Sequence, residues 1–462
     1  MTPYYGMALV VLLLATMLLL LREFQKRYAP HPESVRKLLH VGMGVVTLFF
    51  PWMFSATWPV WILAALAVGF FLALPRVKIL SDQFGAVLNS VKRDSRGDIY
   101  FPMSVAVLFQ VATSTGRPEF YLVAVMVMSF ADAAAAWIGS RYGTHRYKTL
   151  DGEKSIEGSC TFFIVAFLCV YIPLLLMTST AREDTLLLAL VAAYLLTLVE
   201  AVSWRGLDNL LVPFSAYLIL YTALDMNVSE FKWSLWVLMG LSMATLWLRK
   251  FTRFDTSAML TIILVCYFSL ILGGRDWLWA PLSVLLAWGL LTYFLGQVNP
   301  VGNGRTSKAT AEKENAPRVT DTHSVVAVIS VAATGLILAA LNKAWPNAGL
   351  FYVYTLAYTG QLSLITLVYL KFHYRSLGNL GLVCFGVGVA ILCVLTPYIL
   401  FFGGSFEPVW NFVWGVVIIV SASSVFLYWQ MKLKDGSSEF LRWLPHASIG
   451  LVVGLAGLGV GL

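Results

Sequence analysis

SFADAAAAWIGSRYGTHRYKTLDGEKSIEGS, residues 129–159, starts inside one apolar helix and ends at the start of the next. Its first half carries Asp132 about two turns from the helix end. An acid placed within a membrane span is expensive, so such a residue is a functional candidate before it is anything else. The middle reads as a Gly-rich basic loop with Gly139, Arg141, Gly143, Lys148 and Lys154, which returns to the membrane through Ser155, Glu157 and Gly158. Glycines allow close backbone approach and lysines supply cations for phosphate. A basic loop beside a buried acid has the parts needed to hold phosphates and a divalent metal. No P-loop spacing is present, and Glu157 also reads as an ordinary first-turn acid facing a helix dipole.

The chain around this stretch belongs to a membrane. Of 462 residues 59% are hydrophobic and 12% charged, with mean hydropathy +0.77. Soluble domains carry about 25% charged residues. The apolar runs are continuous rather than alternating, which argues for helices over a β-barrel. The expected fold is an all-α, polytopic transmembrane bundle of about sixteen spans, near 5–21, 38–56, 58–75, 101–115, 119–139, 159–178, 185–201, 209–224, 232–248, 258–274, 279–297, 323–342, 349–370, 379–402, 409–431 and 445–462. The first run reads as a retained span with the N-terminus outside. That orientation puts 27 of the 32 lysines and arginines on the cytoplasmic face, together with the 129–159 loop. The net charge of +8 is therefore a topology signal, and no nucleic-acid partner is expected. The five cysteines lie in or beside apolar runs without metal spacing and read as packing residues. Four segments are expected: 1–225 catalytic, 226–297 additional spans, 298–322 a polar cytoplasmic linker, and 323–462 a second membrane unit.

Three further polar clusters share the predicted cytoplasmic side. Arg36, Lys37 and His40 enter the membrane on one helix, either as a snorkelling basic collar or as site residues. Arg96, Gly97 and Asp98 precede Pro102, which suits a helix's first turn and would leave backbone N–H groups and a carboxylate facing a ligand. Glu200 closes one span, and Asp208-Asn209 opens the next, with Pro213 inside it. Phosphoryl transfer asks for carboxylates for Mg²⁺, cations for phosphates, and one acid to take a hydroxyl proton. Asp98, Asp132, Glu157, Glu200 and Asp208 are the candidate metal ligands, and which acid is the base is open. Beyond residue 226 the acids fall in loops or at span ends, so chemistry is expected in the first half.

The ordered set Arg36-Lys37…His40, Gly97-Asp98…Pro102, Asp132-Ala133-Ala134-Ala135-Ala136…Gly139…Gly143, Lys154-Ser155-Ile156-Glu157-Gly158 and Asp208-Asn209…Pro213 resembles the polyprenol kinase family, which includes phytol kinase, dolichol kinase and a CTP-dependent diacylglycerol kinase. The likeness covers roughly residues 30–225. It implies transfer of the γ-phosphoryl group of CTP (or ATP), with Mg²⁺, to the hydroxyl of an isoprenoid or lipid alcohol. It places Asp132 and the loop from Gly139 to Gly158 at the nucleotide and metal, Lys154 at phosphate, and Asp98, Glu157 and Asp208 as metal ligands or hydrogen-bond partners. The membrane would be a bacterial plasma membrane, or the endoplasmic reticulum in a eukaryote; oligomeric state is open. Two other readings stand beside it: a phosphatidate cytidylyltransferase-like enzyme, and a lipid transporter or flippase built on the second half.

Overall fold

The computed structural model describes residues 2–28, 30, 32–78, 97–149, 152–204, 206–223, 226–248, 256–298, 350–373, 378–402 and 408–432, with isolated positions at 338, 449, 452, 453 and 456. It divides into two compact units, Met1–Trp236 and Val237–Leu462. Arg96 and residues 299–322 of the expected linker lie outside the described residues.

The first unit runs α1 (Pro3–Tyr28), α2 (Pro32–Leu48), a short α3 (Phe50–Met53), α4 (Trp58–Ala73), α5 (Gly97–Thr115), α6 (Pro118–Met126), a π-helical turn (Val127–Ala131) and α7 (Asp132–Tyr142). It continues with β1 (Arg146–Thr149), β2 (Gly152–Ser155), α8 (Ile156–Met177), α9 (Arg182–Val202) and α10 (Asp208–Ala223). Helix α1 buries Gly6 and Val10 while Leu12, Leu19 and Leu20 stand exposed, the surface of a helix meant for lipid. Helix α9 is the opposite case, enclosed along most of its length.

Among the described residues seven helices are long and apolar enough to cross a membrane. About sixteen windows were expected. Apolar composition alone does not set helix length: the window at 38–56 becomes α2 and α3, interrupted before Pro51, and the window at 58–75 becomes the 16-residue α4. The windows at 323–342 and 445–462 lie almost wholly outside the described residues. Two expectations about local structure are corrected. The basic loop is an antiparallel β-hairpin, with Tyr147 opposite Lys154 and Lys148 opposite Glu153, set into an otherwise all-α membrane bundle. Gly152, at φ 128°, opens β2, but four-residue strands are too short to show a period. Helix α5 already runs from Gly97, so Pro102 sits in its interior rather than its first turn. Cys160 and Cys384 are exposed on their helices instead of packed inside.

Small residues let the elements of the first unit meet. A Cβ added to Gly158 would lie 3.1 Å from the Ala135 carbonyl oxygen, and one added to Gly139 would lie 2.9 Å from Ser155 Oγ. Helices α7 and α8 thus touch through glycine and the alanine run, the usual route to close packing where no hydrophobic effect draws helices together. A Cβ on Gly44 would fall 2.0 Å from Ser129 Oγ, bringing α2 against the π-helical turn. Pro213, inside α10, has no N–H for the carbonyl of Asn209. The Ser104 hydroxyl of α5 donates to that carbonyl at 2.7 Å.

The second unit contains α11 (Val228–Leu248) from Val237 onward, α12 (Thr256–Gly273), α13 (Trp279–Val298), α14 (Leu350–His373), α15 (Asn379–Ala390), a π-helical turn (Ile391–Leu395), α16 (Thr396–Phe402) and α17 (Pro408–Lys432). Helix α14 is its axis: Leu356, Leu364 and Leu367 pack with Phe426 and Leu382, and Thr355, Thr359, Gln361, Ser363 and Thr366 are buried on it. Ser363 meets Ser423 at 2.8 Å and Tyr354 meets Ser269 at 2.6 Å.

Removing the Ser104 hydroxyl leaves the Asn209 carbonyl without its donor. Ser104→Ala should lower stability by about 1–3 kcal/mol, read as a lower unfolding midpoint of the detergent-purified protein.

Candidate active site

Asp132 and Lys37 lie 95 residues apart in sequence and form a buried ion pair, with Lys37 Nζ 2.5 Å from Asp132 Oδ2. The π-helical turn just before Asp132 inserts an extra residue per turn and so re-aims the acid toward α2, a common device at functional positions. His40, one turn after Lys37, places Nε2 3.9 Å from the same carboxylate oxygen and 3.1 Å from the carbonyl of Met128 in that turn. A carbonyl only accepts, so Nε2 is the donor. Phe101 meets the imidazole edge to face at 4.8 Å.

The other charges continue from this pair as a ribbon of alternating sign. Arg36 acts electrostatically on both Asp98 and Asp132. Asp208, the first residue of α10, acts on both His40 and Lys154. Lys154, on β2, donates to Glu200 Oε1 at 2.7 Å and also to the Glu200 backbone carbonyl. Burial by itself would push the Lys154 ammonium down, but the Glu200 carboxylate outweighs it, with help from Asp208, and holds it above the ordinary lysine value. Because the folded value lies above the unfolded one, the contribution from the raised lysine value is fully present below about pH 10 and is lost as pH rises through the folded value.

The site residues expected from sequence thus fall into three groups. Arg36, Lys37, His40, Asp98, Asp132, Lys154, Glu200 and Asp208 come together in the ribbon, with Gly97 buried at the head of α5 and Asn209 beside Asp208. Glu157 has a different set of partners. Its Oε1 accepts from the Thr144 hydroxyl at 2.6 Å, the Thr144 and His145 N–H groups at 3.1 Å each, and His145 Nδ1 at 2.9 Å, fastening the hairpin base. Ser155 caps α8 by accepting from the Gly158 N–H at 3.1 Å, while Gly139 and Gly143 abut Ser155. Arg141 lies exposed over the Tyr142 ring, and the side chain of Lys148 is outside the described residues. Sequence reasoning passed over Thr144, His145, Met128 and Phe101.

A phytol kinase from Synechocystis sp. is 33% identical over 198 residues, which cover 43% of this chain and 82% of that protein. The chain belongs to the polyprenol kinase family. The aligned part is less than half of the chain, so the family membership rests on one portion of it. No family model matches the chain, and no solved structure matches it.

In a polyprenol kinase relative with this arrangement, removing one partner strands the other. Lys37→Met should destabilise by about 3–5 kcal/mol by leaving the Asp132 carboxylate buried without its cation. Lys37→Met with Asp132→Leu should recover a large part of that loss, measured as a double-mutant cycle of unfolding midpoints.

Proposed function

We propose that the first unit transfers the γ-phosphoryl group of CTP (or ATP) to the terminal hydroxyl of an isoprenoid alcohol, phytol or a longer polyprenol, at the cytoplasmic face of a bacterial plasma membrane. The kinase relative supports the reaction class, and the observation that carries the site is the Lys37–Asp132 pair at the centre of the charged ribbon. In this reading Asp132 accepts the hydroxyl proton as the alcohol oxygen forms its bond to the γ-phosphorus. The bond from that phosphorus to the bridging oxygen breaks, and the nucleoside diphosphate leaves. Lys37 and His40 orient the carboxylate, since both already converge on Oδ2. Lys154 and Arg36 supply positive charge toward the phosphates, Lys154 exchanging part of its bond to Glu200 for one to the nucleotide.

Among the described residues no three carboxylate, histidine or cysteine side chains converge as a metal cage. Mg²⁺ at phosphoryl-transfer sites usually takes only one or two carboxylates and completes its shell with water and phosphate oxygens. The acids of the ribbon fit that mode, with Asp208 and Asp98 as the residues that would hold it, because Asp132 and Glu200 are each tied to a lysine. When bound, the ion would neutralise phosphate charge.

Purified protein incubated with Mg²⁺, γ-labelled CTP or ATP and a panel of phytol, farnesol, longer polyprenols and diacylglycerol should move label into an isoprenoid alcohol. Release of labelled pyrophosphate instead would favour a cytidylyltransferase. Asp132→Asn should lower kcat by about 10²–10⁴-fold, and Lys154→Ala by about 10²–10³-fold, each rate taken per folded protein because both variants strand a buried charge. Near-unaltered rates for both variants would remove this site from the reaction.

A further inference from the structure

Helices α1, α2, α3, α4 and α5 line a cavity of about 290 Å³. Its lining is apolar apart from Thr47, whose hydroxyl is already donated to the Gly44 carbonyl at 3.0 Å. Water needs two to four polar partners to occupy a cavity, and this one offers none through its side chains. Its natural occupant is hydrocarbon. Leu39 and Phe101 form part of the wall, and each ties the cavity to the charged site: Leu39 precedes His40 on α2, and the Phe101 ring packs against the imidazole. At the side, Val11 of α1 and Leu66 of α4 line the cavity and are also exposed, 48% and 59%, so the space opens laterally where lipid would lie.

We infer that this cavity binds the hydroxyl-proximal part of the isoprenoid chain, entering between α1 and α4, and so delivers the alcohol to Asp132. The inference rests on the kinase reading above and adds the tail site. A cavity of about 150 Å³ accepts benzene, so about 290 Å³ accepts roughly a dozen carbons, or two to three isoprene units. The remainder of a longer chain leaves through the opening at Val11 and Leu66. Chain length is therefore read only over those first units: turnover should rise from five-carbon to about fifteen-carbon alcohols, then stay level for phytol and longer polyprenols.

The test uses the full chain in lipid nanodiscs and a phytol analogue bearing a diazirine within its first two isoprene units. Cross-links in peptides of α1, α2 and α4, removed by excess phytol, are expected. Cross-links elsewhere, or cross-links here that excess phospholipid removes and phytol does not, would overturn the assignment by showing a bulk-lipid crevice. Ala64 lines the cavity and is buried, so Ala64→Trp should cut cross-linking at least tenfold and raise KM for phytol at least tenfold, with KM for the nucleotide unchanged. Leu66→Trp, at the exposed mouth, gives the same readout without disturbing the interior; unchanged cross-linking and KM in both would count against the site. Specific cross-linking here without phosphoryl transfer to any alcohol would end the kinase reading and leave the tail site standing. Phosphoryl transfer with cross-links mapped elsewhere would do the reverse.

Discussion

A carboxylate and an ammonium buried together are costly to bring out of water, and their attraction repays that cost only when the geometry is close and the remaining polar atoms are satisfied. Lys37 and Asp132 meet that condition at 2.5 Å, within reach of His40 and Arg36. Much of the first unit's local structure follows from satisfying this pair. The π-helical turn aims Asp132 at α2, Gly44 lets α2 approach that turn, and His40 uses the Met128 carbonyl within it. A buried pair of this kind is weak evidence for stability by itself. Its value lies in holding two opposite charges ready where water is scarce, so that an arriving hydroxyl or phosphate meets an oriented partner.

The hairpin and the helix packing serve the same end from the other side. Lys154 reaches Glu200 because β2 is registered against β1 and because Glu157 fastens the hairpin base through Thr144 and His145. Glycines at 139 and 158 bring α7 and α8 close enough to support that hairpin. The result is a charged face above an apolar cavity, with Phe101 touching both. A lipid alcohol has this same division, one polar end on a long hydrocarbon chain.

The second unit is built differently. Among its described residues the buried polar groups are hydroxyls and the Gln361 amide; Thr355, Thr359 and Thr366 bond carbonyls of their own helix, while Ser363–Ser423 and Tyr354–Ser269 join helices. Neutral hydroxyl pairs join membrane helices at modest cost and need no charge compensation. Among the described residues of that unit no carboxylate is buried.

Hydropathy and charge in the sequence were enough to establish a helical membrane protein and to name the residues of the ribbon, because burying an acid is expensive enough to stand out in an apolar run. The resemblance in Arg36-Lys37…His40 and Asp132…Gly139 also pointed to the family that the phytol kinase relative supports. What sequence could not supply was partnership. Lys37 finds Asp132 across 95 residues and Lys154 finds Glu200 across 46, and no local pattern encodes such distances. Nor could sequence show that Glu157 fastens the hairpin base through Thr144 or that Gly139 and Gly158 meet in a helix contact. Residue type fixes which charges must be answered; only packing in three dimensions decides which neighbour answers them, and where an apolar cavity is left beside them.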